Sequence, residues 1–137
     1  MDKNDALHRI KKLAKANEAF RRELATTQRL QVVLMCLQPG EDIGAETHED
    51  TDQVFVVVKG EGRAVVGEQS FAIEKGAMVI VPAGTSHNLL NDAGETLRLY
   101  TIYVPPHHAP GTVHLTRADA LAHGEAAAVP LLAEITQ

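Results

Sequence analysis

The run Gly76-Ala-Met-Val-Ile-Val-Pro82-Ala-Gly84-Thr-Ser-His87-Asn-Leu-Leu-Asn91 constrains this chain more than any other part of it. Apolar residues from Met78 to Val81 make a short strand, Pro82 and Gly84 end it in a tight turn, and His87 opens the next strand. A histidine placed between a stiff turn and a strand is aimed by both. The stretch therefore reads as half of a metal site in an all-β domain.

The other half lies upstream, in Gly40-Glu-Asp-Ile-Gly-Ala-Glu46-Thr-His48-Glu-Asp-Thr-Asp-Gln53 and on to Gly60. Together the two segments resemble the cupins. The family's first motif is a glycine, five residues, His-x-His, three or four residues, Glu, six residues and a glycine. Its second is Gly, five residues, Pro-x-Gly, two residues, His, three residues and Asn. The second is met in full from Gly76 to Asn91. The first keeps its spacing with two ligand positions changed: Glu46 stands where a His is expected and Gln53 where a Glu is expected. The resemblance covers about residues 30 to 104. It implies a double-stranded β-helix, or jelly-roll, barrel with one divalent metal ion (Mn, Fe, Ni or Zn) held by Glu46, His48, Gln53 and His87.

The chemistry of that set is self-consistent. Glu46 and His48 are two apart, so on an extended strand they share a face, and Gln53 and His87 are expected from neighbouring strands. The family's three imidazoles and one carboxylate carry a ligand charge of minus one. One carboxylate, two imidazoles and one amide carry the same, so the two changes cancel electrostatically. Nitrogen and oxygen donors together suit a divalent first-row metal, and open coordination positions would admit a substrate. Loss of the metal with the barrel retained is the competing reading of the same two changes. Gln53 is the weakest ligand of the four, since an amide can instead bond a substrate or a metal-bound water.

With 137 residues, the chain fits one domain: an N-terminal arm over 1–28, a barrel core over 29–104, and a loop with a C-terminal helix over 105–137. No run approaches a transmembrane length and no apolar signal segment leads it, so a soluble, cytoplasmic protein without membrane association is expected. Cys36 is the only cysteine, which excludes an intramolecular disulfide and, within Val32–Leu37, suggests a packed thiol. Residues 1–29 hold eight Lys or Arg against four Asp or Glu, while the rest holds five against fourteen. A mostly acidic barrel argues against nucleic acid as a partner.

Strands are expected at 29–37, 54–59, 63–66, 70–73, 78–81, 87–90 and 97–103, separated by Gly, Pro and Asn punctuation. Leu7, Ile10, Leu13 and Ala14 have helical spacing. Residues 20–26 are read as a strand that pairs with a partner subunit, which fits an expected homodimer. Asp119 to Ala128 is read as a terminal helix.

Beyond Tyr103 the chain continues Val-Pro105-Pro106-His107-His108-Ala-Pro110-Gly111-Thr-Val-His114. Its prolines exclude regular structure, and a path across the barrel mouth is one reading of it. Similar short cupins carry a comparable stretch, matched here at Tyr103, Pro105, Pro106, His108, Gly111, Thr112, Val113 and His114. The function expected is metal-assisted proton transfer on a small oxygen-rich ligand such as a sugar, a uronate or a hydroxy acid. Glu46 is the candidate base, and Tyr103, Tyr100 or a loop histidine the candidate acid. An iron-dependent dioxygenase and a non-catalytic binding protein remain as alternatives, because this fold supports all three.

Overall fold

A computed structural model describes residues 5–123. A short helix, α1 (Ile10–Ala16), precedes nine strands: β1 (Arg21–Thr26), β2 (Gln31–Leu37), β3 (Asp52–Lys59), β4 (Glu61–Val66), β5 (Gln69–Glu74), β6 (Met78–Val81), β7 (His87–Leu90), β8 (Leu97–Val104) and β9 (Val113–His114). Helix α2 (Arg117–Ala122) follows. The expected extension of that helix to Ala128 lies partly outside the described residues.

The strands form two antiparallel sheets. The larger has the order β6-β3-β8-β2-β1-β9 and the smaller β5-β4-β7. Alternation along each strand sends one set of side chains between the sheets. Val33, Met35 and Leu37 of β2, Phe55 and Val57 of β3, and Leu97 and Leu99 of β8 meet Ala64, Ile73 and Leu89 of the small sheet in one core. The outer face of the large sheet is partly roofed by α1, where Ala14 packs with Leu24, Leu34 and Val58, joined by Ile10, Leu13 and Tyr100. Leu7, expected on that helix, precedes it and is exposed.

Two differences from the sequence reading matter. Strand β1, expected to pair with a partner subunit, pairs within the chain: Arg21 to Thr26 run against Gln31 to Met35, and Arg21 and Arg22 also meet β9. The large sheet thus extends beyond residues 29–104 on both sides. Strand β3 starts at Asp52, two residues earlier than its apolar run suggests, which places Gln53 inside the sheet.

Gly60 shows why glycine is needed between β3 and β4. Its φ is +97°, and a Cβ there would lie 2.5 Å from the carbonyl oxygen of Thr96. Among the described residues, no helix is long and apolar enough to cross a membrane.

Candidate metal centre

The segment between β2 and β3 brings two of the expected ligands to β7. Glu46 N donates to the His87 carbonyl and His87 N to the Glu46 carbonyl, each at 2.9 Å. This isolated antiparallel bridge sets the two residues opposite each other, with side chains on one side of the pair. Gly84, at φ +82°, donates its N–H to the His48 carbonyl at 2.8 Å, and Asp52 Oδ1 accepts from Ala83 N at 2.8 Å. The Pro82–Gly84 turn is therefore tied to both motifs at once.

Across the barrel, Gln53 projects inward from β3. His87 does arrive from a strand beside the Glu46–His48 segment, as expected, whereas Gln53 belongs to the opposite sheet: β3 lies beside β6 and β8, and β7 beside β4. The opposition follows from the jelly roll, in which the chain changes sheets between the two motifs.

Glu46, His48 and His87 each offer a ligand atom within 4.8 Å of the others, a group that can hold a metal ion. His48 Nε2 lies 3.1 Å from Glu46 Oε1. His87, 2% exposed, donates Nδ1–H to the Thr85 carbonyl at 2.9 Å, which leaves Nε2 carrying the lone pair. That Nε2 is buried without a hydrogen-bond partner among the described residues, and so is Gln53 Oε1, while Gln53 Nε2 donates to Thr101 Oγ1 at 3.0 Å. Unmatched buried acceptors cost free energy that a bound cation would recover. On this test the donor set fits a divalent ion.

Electrostatics agree. Burial pushes the Glu46 carboxyl up, but the His48 hydrogen bond and the charges of His48, Arg21 and His107 outweigh it and hold the group below its ordinary value. Burial lowers His87 against the opposing effect of the Thr85 carbonyl, keeping it neutral and able to bind a metal.

Tyr103, a candidate catalytic residue, faces inward; its ring centroid is 6.1 Å from that of His48, and its hydroxyl is 3.3 Å from His108 Nε2. Tyr100, the other candidate, faces outward into the α1 cluster. Asn91, which completes the second motif, is structural: Nδ2 donates to the carbonyls of Leu37 and Glu95 and Oδ1 accepts from Ala93 N. Several acidic residues near the motif also have structural work. Asp42 pairs with Arg117 at 2.6 Å and accepts from Asn88.

Sequence reasoning did not find the residues that seat the loop beyond Tyr103. Fully buried Gln31 accepts from the backbone N–H groups of His107 and His108 at 3.1 and 2.9 Å and donates to the His108 carbonyl at 2.7 Å. Glu23 accepts from Gly111 N at 3.0 Å. Buried Arg21 lies 3.3 Å from His114 Nδ1. The loop consequently crosses the barrel mouth, and the His107 ring rests 4.2 Å from that of His48. His107 is exposed at the rim, yet the protein packed around its ring and then the His48 charge lower it, to about 4, while burial followed by the Arg21 charge lowers His108 to about 2. Gln31 is readable as inward from its alternation with Val33, Met35 and Leu37, but hydrophobic alternation turns Arg21 and Glu23 outward, and nothing local marks any of the three as the loop's anchors.

Comparison with known proteins places this geometry. The family model for the cupin domain matches residues 33–103. The solved structure of BH2720 from Bacillus halodurans is 42% identical, with a TM-score of 0.83, over 85% of this chain and 92% of that one. The uncharacterized protein YrkC of Bacillus subtilis is 41% identical over 82% of this chain and 64% of its own length. The uncharacterized protein L612 of Acanthamoeba polyphaga mimivirus is 38% identical over 74% and 66%, so the chain spans just under two thirds of each of these two relatives.

Proposed function

The chain belongs to the cupin family, and from that premise we propose that it is a metal-dependent enzyme moving a proton on a small oxygen-rich molecule, in the manner of an isomerase or lyase. The observation that carries this reading is the pair of unmatched buried acceptors, His87 Nε2 and Gln53 Oε1, in a barrel where the Glu46 carboxylate stays ionised. A manganese, iron, nickel or zinc ion bound there supplies Lewis acidity toward a carbonyl or hydroxyl oxygen. The rest is the work of the side chains. His48 and His87 are the nitrogen ligands, and Gln53 Oε1 is a further donor to the ion or to a group bound to it. Glu46, held in its basic form beside His48, is placed to take a proton from a carbon next to a carbonyl. Tyr103, whose hydroxyl meets neutral His108, is the group suited to return a proton to oxygen. A sugar, a uronate or a hydroxy acid offers the adjacent oxygens this arrangement needs. The partner this reading adds is a second copy of the chain, supported by the exposed Met78 and Ile80 at one edge of the large sheet.

The test is solvent exchange. Metal-loaded protein in D2O, given panels of these three compound classes, is expected to place deuterium beside the carbonyl of one class, with Glu46→Gln abolishing exchange and Tyr103→Phe slowing it. Oxygen uptake by the iron form without exchange would assign the site to a dioxygenase instead. Saturable binding with neither signal would make it a binding protein.

A further inference from the structure

Glu46, His48 and His87 bring one ligand atom each within 4.8 Å of the others, and the loop beyond Tyr103 presents a side chain beside them. What it presents is an imidazole. The His107 ring lies 4.2 Å from the His48 ring and 5.4 Å from the Tyr103 ring, tilted 53° to the first and 26° to the second. No described residue hydrogen-bonds to either of its ring nitrogens. A histidine packed on a ligand histidine with both nitrogens uncommitted differs from its neighbour, because His108 Nε2 is engaged with the Tyr103 hydroxyl.

The backbone that carries His107 is held from inside the barrel. Its own N–H and that of His108 both bind Gln31 Oε1, and the His108 carbonyl receives Gln31 Nε2. Farther along, Gly111 N binds Glu23 Oε1. Two buried polar side chains thus spend their hydrogen-bonding capacity on placing this one loop. A loop seated this way keeps its Cα positions while a rim side chain changes rotamer, a motion that is fast for exposed groups.

From these contacts we infer that His107 is a further ligand of the same ion, delivered from the mouth by rotation of its side chain and released when another donor takes its position. The inference rests on the metal reading of Glu46, His48 and His87. In the described rotamer His107 stands outside that three-residue group, so ligation is the exchangeable state of a side chain whose backbone is already in place. The ligand also closes the mouth: while His107 is bound, the position it fills is denied to water and to poorly coordinating solutes.

Pulsed EPR of the copper(II)-loaded full chain counts coordinated imidazoles directly. Wild type is expected to show three, His107→Ala two, and His48→Ala two. Cobalt(II) affinity is expected to fall by about tenfold or more in His107→Ala, on the scale set by loss of supporting groups around metal ligands, with an unchanged circular dichroism spectrum showing that the barrel is intact. Two imidazoles in both wild type and His107→Ala, with equal cobalt affinity, would overturn the inference and leave the metal site standing. No copper or cobalt bound by wild type would overturn the parent reading and this one with it.

Discussion

At Gln53 a neutral amide stands almost fully buried with its carbonyl oxygen unmatched and its nitrogen committed to Thr101. Replacing it by a carboxylate separates two accounts of that oxygen. In Gln53→Glu the new carboxylate is buried without a counter-ion in the apo protein, at a cost of roughly 3–5 kcal/mol, and gains a full Coulombic attraction once an ion is bound. Calorimetry is therefore expected to show a lower apo Tm than wild type and a larger rise on adding manganese; equal rises would remove Gln53 from the site. The loop histidines set a second residue-scale expectation. His108 at about 2 and His107 at about 4 lie below the ordinary histidine value of 6.5, and His87 is lowered as well. Above about pH 6.5 folded and unfolded chains are both neutral at these positions, and the stabilisation is fully present. Below it the unfolded chain takes up protons that the folded one does not, so stability falls as pH falls toward about 4. The apo Tm should drop between pH 7 and pH 5 and drop less in a His107→Gln, His108→Gln double variant; a flat profile would contradict the packing assigned to these rings.

Elements separate what was legible in the sequence from what was not. The strands at Met78–Val81 and His87–Leu90 fall where their turn residues place them, because Pro82, Gly84 and Asn91 act locally on φ, on N–H supply and on nearby carbonyls. Glu46 and His48 were readable for the same reason, since a spacing of two survives in any extended segment. Their support was not, because the bridge to His87 joins residues far apart in the chain. Strand β1 was harder still. Arg21 and Glu23 face inward, the reverse of what hydrophobic alternation suggests, and their partners lie at His114 and Gly111. The path of the loop over the mouth depends on Gln31, an amide 76 residues away from His107. Gln31→Leu would leave three loop backbone groups without this partner at once. It is expected to cost about 1–3 kcal/mol of stability and to raise hydrogen exchange at His107 and His108, and unaltered protection there would show that something else holds the loop.

For the whole molecule, the described residues leave an apolar stripe of the large sheet exposed. Strand β6 is an edge of the large sheet, with Met78 and Ile80 at 62% and 63% exposure, and register places them beside Val56 and Val54, which in turn neighbour Tyr100 and Ile102 of β8. An apolar stripe on an open edge favours pairing of two copies about a two-fold axis. Light scattering at micromolar concentration is expected to give twice the chain mass for wild type and the chain mass for a Met78→Glu, Ile80→Lys variant. A monomeric wild type would assign the stripe to something other than a second copy. The same barrel points polar groups inward at its mouth, where binding of an ion is the deciding property. The direct measurement is elemental mass spectrometry of tag-free protein purified without chelator, alongside His48→Ala and His87→Ala. Near one equivalent of a single transition metal in wild type, lost in both variants, is the expected result; no metal even after loading with manganese, iron, nickel and zinc would contradict it.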